Sequence, residues 1–561
     1  MLSLNEQKRN NSSKLQTCYR DIAMKILRYT VLVSCLSICM PVLAENQYLQ
    51  QQLEPILIGE SHSIEREHIH SPDMTVATYK ANGFERVWND TKYAKQALKL
   101  IAQSELEGLS PNDYHFDTLM ALANEIDKRG AEAVEAQFDV LMTDAVMTYA
   151  KHLIRGKINP KQLTATWNYG QFDVSPDAAA ASLLKHVKSK SLDKGLENLK
   201  PVLPHYKRLK DALVFYRELD ATGELPAITL QNNILKPGQS DAAVPLLRQK
   251  LKRLNYFQGS GSDDTYYDNE LVAAVKNFQN AHQVTDDGVI GNATLKLLNK
   301  DYSEYIDDIL VNLERIRWVD NTLTERFLVV NIAGFKLFLF EDNKLKWQTN
   351  VVVGRNYTKT PIFKGQMSYI VMNPTWTVPR SIAGGIIKKM KENPNYLNEK
   401  DFVVVDSRRN PVDSKSIDWA NASRKNFPYW FVQQPSENNS LGQIKFMFPN
   451  KYSIYLHDTP AKTLFQQDQR AFSHGCVRVD DPFTLAEKIL ETSDNWSRSD
   501  IDDAIAAKET TKISLSKPLD VLLMYWTVAG DDESLQFYTD VYNRDGALLK
   551  ALTTPLANNT I

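Results

Sequence analysis

The sequence is short of cysteine. Of four cysteines in 561 residues, Cys18, Cys35 and Cys39 fall within the first 44 positions, and Cys476 stands alone in the rest of the chain. Downstream of residue 44 this excludes an intramolecular disulfide, and no CxxC or HExxH spacing marks a zinc site. An excess of one charge is also missing, since Lys+Arg 66 against Asp+Glu 68 leave a formal net charge of −2. Without a basic surplus to neutralise phosphates, the composition argues against a nucleic-acid binder. The apolar run within residues 24–44 holds about a dozen residues, short of the roughly twenty that span a membrane.

What is present is ordinary globular composition, 24% charged and 43% hydrophobic. The length allows two to four domains with sizeable cores. Residues 24–44 place Lys25 and Arg28 first, then the apolar run, then Val42-Leu43-Ala44 at the small-residue positions of a signal-peptidase site. That is a secretory leader, either cleaved or kept as an anchor. Met24 offers a second start, which would make residues 1–23 an upstream extension. An exported chain that keeps a single thiol in its body points to a functional thiol.

That thiol lies in Ser473-His474-Gly475-Cys476-Val477-Arg478-Val479, with His457 sixteen residues before Ser473. A free cysteine has a pKa of about 8.5, so only a few per cent is thiolate at neutral pH. An imidazole within reach can take the proton and return it to a leaving amine. Gly475 frees the backbone to approach a carbonyl, and nearby N–H groups could face the oxyanion. Two plainer readings compete. Cys476 could be an inert core cysteine, although Ser473, His474 and Arg478 are polar neighbours that suit a core poorly. His457, His474 and Cys476 could also ligate zinc, although without a zinc-type spacing.

His457, a gap of fifteen residues, then Ser-His-Gly-Cys-Val-Arg resembles the H-x(14–17)-[ST]-H-G-C motif of the L,D-transpeptidases with a YkuD-type catalytic domain. The resemblance implies Cys476 as acyl-accepting nucleophile, His457 as proton acceptor and donor, and His474 in support. It also implies that the carbonyl of the residue after the base, here Asp458, orients the imidazole. Ser473, Gly475, Asp458, Arg478 and Trp376 are the further candidates for substrate binding or oxyanion stabilisation. Segments such as Met372–Pro379 and Phe448–Pro460 are similar to those of the long multi-domain members of the family. The likeness is close from about Arg326 onward and looser before it.

The fold class expected is α+β and multi-domain: a helical scaffold, a small three-helix peptidoglycan-binding domain, and a mainly β catalytic domain with a capping insertion. A leader covers 1–44 and a polar tether 45–72. Helical periodicity dominates 73–230, clearest where Phe138, Leu141, Met142, Ala145, Tyr149 and Leu153 recur at steps of three and four. Residues 235–300 carry three apolar stripes and resemble a peptidoglycan-binding domain. Residues 301–325 form a linking helix. The catalytic domain spans 326–561, opening with strands over Arg326–Asn331, Lys336–Phe340 and Leu345–Val353. An insertion at about 380–442, rich in lysines and aromatics, is expected to cap the site as a lid over the donor peptide, with a surface subdomain that does not gate the site as the alternative. Val521–Val528 and Leu535–Val541 form a closing hairpin.

The implied reaction is acyl transfer through a Cys476 thioester. It releases D-Ala from a tetrapeptide stem and forms a 3–3 peptidoglycan cross-link in the periplasm. The implied partners are peptidoglycan stem peptides and glycan, cell-wall synthases and, as inhibitors, carbapenems; no nucleic acid, metal or organic cofactor is called for. An L,D-carboxypeptidase, a lipoprotein-to-wall transferase with the same Cys-His chemistry, and a silent peptidoglycan-binding scaffold remain the alternatives. Papain-like wall hydrolases place Cys before His, the reverse of the order here.

Overall fold

The computed structural model describes residues 47–163, 174–259, 264–319, 323–494, 496–530 and 534–556. The leader expected over 1–44 lies outside them. No helix among the described residues is long and apolar enough to cross a membrane. The chain forms two compact units, and the helical region expected over 73–230 is divided between them.

The smaller unit is helical. Helix Gln47–Leu57 lies in the stretch expected to be a polar tether, yet it buries Leu49, Leu53 and Ile56. Their spacing of four and three makes one apolar face, which the surrounding glutamines hide in the composition. Helices Pro72–Ala81 and Pro176–Lys188 pack together. At the centre His115 is clamped between Glu67, 2.7 Å from Nδ1, and the buried Asp144, 2.9 Å from Nε2. Asp144 also accepts the N–H groups of His70 and Ser71 at 2.9 and 2.8 Å.

Burial opposes charge on His115, but the Asp144 and Glu67 hydrogen bonds outweigh it and push its pKa up to about 9. A raised folded-state pKa stabilises fully below the ordinary value of 6.5 and is lost as pH rises through about 9. Glu67, held down to about 2 chiefly by its hydrogen bond to His115, contributes above its ordinary 4.5 and fails only toward the acid limit. Calorimetry should therefore show the transition of this unit moving to lower temperature between pH 6.5 and 9. His115→Gln should be less stable at neutral pH and flatter across that window.

In the larger unit, helix Pro204–Ala221 packs along helix Tyr302–Arg317, and Leu209, Leu213, Ile309 and Leu313 join one core. Helices Val244–Arg253, Asn269–Ala281 and Asn292–Leu298 form a compact trio, with Leu247, Leu251, Leu271, Val275 and Phe278 buried. The side chain of Asp268 caps the second helix by accepting Leu271 N–H at 2.9 Å.

The remainder is built on a nine-stranded sheet. Its strands are β1 (Arg326–Asn331), β2 (Lys336–Glu341), β3 (Lys344–Gly354), β4 (Phe363–Met372), β5 (Ile444–Met447), β6 (Leu456–His457), β7 (Ala471–Ser473), β8 (Val477–Val479) and β9 (Thr511–Met524). Their order is β7-β3-β8-β6-β5-β4-β9-β1-β2, and β2 also pairs with β3, so the sheet closes on itself. Val521–Met524, expected in a closing hairpin, instead belongs to central strand β9, parallel to β1 and antiparallel to β4. Pro518 hid this strand, because it sits where the register shifts between Ser514 and Leu519, as a proline inside a sheet requires. The hairpin proper is Val528–Gly530 with Leu535–Phe537.

Between β4 and β5 the chain makes a subdomain with its own core. Helix Arg380–Glu392 buries Ala383, Ile386, Ile387 and Met390. These pack with Val404, Phe427 and Phe431 beside a four-stranded sheet in the order Trp376–Thr377, Trp430–Gln433, Phe402–Val405, Pro411–Val412.

Candidate active site

Strand register assembles the site. Leu456 pairs with Val477 and His457 with Arg478 in the parallel β6–β8 ladder. Lys445 of β5 lies opposite His457 on the other side. Side chains alternate with a period of two, and directly opposed residues share a face. Tyr455, His457, Lys445, Cys476 and Arg478 therefore lie on one side of three adjacent strands. Contacts agree: the Tyr455 and His457 rings are 5.6 Å apart, and Lys445 Nζ sits 3.9 Å from the Tyr455 ring centre.

The turn carrying Cys476 is held from below. Ser473 Oγ donates to the Cys476 carbonyl at 2.6 Å and accepts Gly475 N–H at 3.0 Å. Thr358 and Thr360 donate to the carbonyls of Ser473 and Gly475 at 3.0 and 2.8 Å. Thr360 also accepts Gly354 N–H at 2.9 Å, and Tyr542 donates to the Gly354 carbonyl at 2.6 Å. Gly475 has φ +120°, open to glycine but strained for other residues. At Gly354 a Cβ would stand 2.1 Å from the Thr358 carbonyl oxygen, so only glycine allows β3 to pass this close. Since the N–H of Gly475 is engaged by Ser473, this glycine contributes backbone shape rather than an oxyanion donor.

His457 is buried, and its Nδ1 lies 2.5 Å from the Asp458 carbonyl. A carbonyl only accepts, so Nδ1 carries the proton and Nε2 keeps its lone pair. Burial, then the charge of Arg478, pushes the imidazole pKa down to about 3, against the backbone bond to Asp458. The Asp458 carboxylate serves elsewhere: it accepts Gln443 N–H at 2.9 Å and pairs with Lys462 at 2.9 Å.

Cys476 is half-buried, and burial pushes its thiol up. The Tyr455 N–H and hydroxyl, Lys445 and Arg478 all act in the other direction, because each favours the thiolate. The Tyr455 hydroxyl in turn accepts from Trp376 of the subdomain. The thiol itself points to the Ser453 carbonyl at 3.7 Å, and among the described residues it makes no hydrogen bond to His457. The resting pair is a neutral thiol and a neutral imidazole on one face, with two cations ready to receive negative charge on sulfur. His474 is exposed; burial, then Arg355 and Arg478, lowers its pKa. Arg478 Nε is buried without a hydrogen-bond partner among the described residues. No three His, Cys, Asp or Glu side chains among the described residues converge as metal ligands would.

A family model described as "L,D-transpeptidase catalytic domain" matches residues 325–502. These residues form an L,D-transpeptidase catalytic domain. Two further models match, "Scaffold domain" over 74–213 and "Putative peptidoglycan binding domain" over 240–298. Among curated proteins, a "Putative L,D-transpeptidase" of Haemophilus influenzae is 34% identical over 244 residues, covering 43% of this chain and 49% of that protein. The chain thus matches about half the length of that relative. Among solved structures, an L,D-transpeptidase of Stackebrandtia nassauensis is 15% identical over 55% of this chain and 99% of its own, with a TM-score of 0.21. One of Mycobacterium smegmatis is 12% identical over 36% and 58%, with a TM-score of 0.16. Both scores are too low to argue from.

Two residues beside Cys476 and His457 in the candidate site, Tyr455 and Lys445, escape a reading of the sequence. Tyr455 lies two positions before His457, on the same strand face. Lys445 is the cation of β5, between buried Ile444 and Phe446. Alternation about the base was the available signal. The Cys476 thiol should alkylate with an apparent pKa above the ordinary cysteine value, because burial dominates. Tyr455→Phe and Lys445→Met should raise it further and slow iodoacetamide alkylation at pH 7.5 by about tenfold, one pKa unit. Unchanged alkylation rates would detach both residues from the sulfur.

Proposed function

We propose that this protein is an exported L,D-transpeptidase that forms 3–3 peptidoglycan cross-links through a Cys476 thioester. The observation that carries the reading is the strand register, which aligns thiol, imidazole, Tyr455 and two cations on one face within a transpeptidase domain.

The thiol proton passes to His457 Nε2 as Sγ bonds to the carbonyl carbon of the stem's third residue, a diaminopimelate or its equivalent. Lys445, Arg478 and the Tyr455 hydroxyl stabilise the negative sulfur. The tetrahedral oxyanion collapses, the bond to D-Ala breaks, and D-Ala leaves with the proton from His457. An acceptor amine then attacks the thioester, gives its proton to His457, and leaves an amide and the regenerated thiol. Free geometry at such sites is often loose and tightens when substrate binds, so the absent Cys476–His457 hydrogen bond fits a pair that engages on donor entry. The half-buried Arg478 guanidinium is suited to a carboxylate of the donor. The subdomain, through Trp376, closes the site over that donor.

The test is incubation with a disaccharide-tetrapeptide followed by mass spectrometry. Cross-linked dimer is the expected product. Tripeptide alone would make the protein a carboxypeptidase, and unaltered substrate would contradict the assignment.

A further inference from the structure

A second turn lies against the one that carries Cys476. Strand β3 ends at Gly354, and residues 355–358 fold back, with Thr358 N–H donating to the Arg355 carbonyl at 2.9 Å. Arg355 N–H donates to the Ser473 carbonyl at 3.1 Å, the same carbonyl that Thr358 Oγ1 reaches at 3.0 Å. A Cβ on Gly354 would stand 3.1 Å from Gly475 Cα, so the two backbones touch there. In the parallel β3–β7 ladder Gly354 pairs with Ser473, which sets Arg355 beside His474.

The Arg355 side chain is half-buried and held in place. Its Nη1 donates to the Tyr357 hydroxyl at 2.9 Å, and its guanidinium lies 5.9 Å from the centre of that ring. Among the described residues this is the only hydrogen bond the side chain makes, so most of its donor fork is left for a ligand. Tyr357 is 77% exposed, so the pair stands at the surface beside the cysteine turn.

Arg355 also lies within electrostatic reach of Arg478 and His474. Burial, then Arg355, lowers the pKa of both, and no carboxylate among the described residues acts on either. Two guanidinium groups that repel each other beside a nucleophile, with no acid between them, make a site short of an anion.

The donor proposed above brings anions that differ in their distance from the attacked carbonyl. The carboxylate of the leaving D-Ala is separated from that carbon only by the amide nitrogen and a Cα. The second carboxylate of a diaminopimelate lies at the far end of its side chain. Arg355 and Arg478 flank the cysteine turn itself, which matches the nearer group. An arginine fork pairs two N–H donors with a carboxylate and loses that match with a carboxamide.

We infer that Arg355 determines specificity: with Arg478 it binds a carboxylate next to the bond that Cys476 attacks, and so selects donors whose leaving residue ends in a free carboxylate. The inference rests on the acyl-transfer reading above and deepens it, because it assigns the residues that tell a terminal leaving group from one inside a longer stem.

The first test needs no turnover. Cys476 of the full chain is alkylated by iodoacetate and by iodoacetamide, which place a carboxylate or a carboxamide beside the attacked carbon. Both reagents consume the same thiolate, so the ratio of their rates is independent of the thiol pKa. That ratio should fall about tenfold in Arg355→Gln and about threefold in Arg355→Lys, which keeps the charge but not the fork. An unchanged ratio in both variants would overturn the proposal. The second test compares stem tetrapeptides ending in D-Ala and in its carboxamide, read as mass added to Cys476. The parent should prefer the free acid by about 10–100-fold, and Arg355→Gln should lose most of that preference. Equal preference in parent and variant would also overturn the proposal. A parent acylated by neither peptide would contradict the acyl-transfer reading alone, and the alkylation ratio would still decide the anion site.

Discussion

Cys476→Ala is expected to lose the proposed acyl transfer by at least about a thousandfold, with the fold unchanged. The side chain is half-buried at the mouth of a turn whose shape is fixed by Ser473, Thr358 and Thr360 rather than by the sulfur. Removing the thiol therefore takes away the bond-forming atom and little packing. Circular dichroism and melting should match the parent, while dimer formation from disaccharide-tetrapeptide falls to background. Cys476→Ser keeps the shape but not the acidity, and should be nearly as inactive, since a hydroxyl needs far stronger activation than a thiol.

His457→Gln is expected to slow donor acylation by about 10²–10⁴-fold, the usual contribution of a positioned base. The pH dependence identifies the cause. In the parent the imidazole, with its pKa held down to about 3, is unprotonated across the neutral range, and as a base it depends on Lys445, Arg478 and Tyr455 favouring the thiolate it leaves behind. Without it the enzyme must form free thiolate first, and below the thiol pKa that fraction rises about tenfold per pH unit. The deficit of the variant should be greatest at low pH and shrink as pH rises toward the raised thiol value. A deficit constant across pH would make His457 a packing residue. Glutamine can still donate to the Asp458 carbonyl that holds Nδ1, so the local backbone should persist.

The candidate residues of the site were legible before their geometry. Cys476 and His457 stand out because thiol and imidazole are rare types in a fixed spacing, and the turn residues follow them in order. Tyr455 and Lys445 were hidden, since nothing in a two-residue strand announces which neighbours share its face. Only the pairing of Lys445 with His457 and of His457 with Arg478 shows it. Asp458 was legible through its carbonyl, whereas its carboxylate depends on Lys462 and the Gln443 backbone.

The fold divides in the same way. The helical stripes of residues 235–300 and the early strands were visible in apolar periodicity. Helix Gln47–Leu57 was masked by glutamine, β9 was broken on paper by Pro518, and the subdomain strands were short and lay among polar loops. The β2–β3 hairpin across Asp342-Asn343 was legible as a turn, whereas the pairings of β3 with β8 and of β1 with β9 join distant segments that local patterns do not encode.

The most direct measurement is the intact mass of the protein during turnover of a disaccharide-tetrapeptide. The account predicts a transient gain equal to the donor less D-Ala, mapped to Cys476 and lost on adding an acceptor amine. Cross-linked product without an adduct on Cys476, or an adduct mapped to another residue, would contradict it.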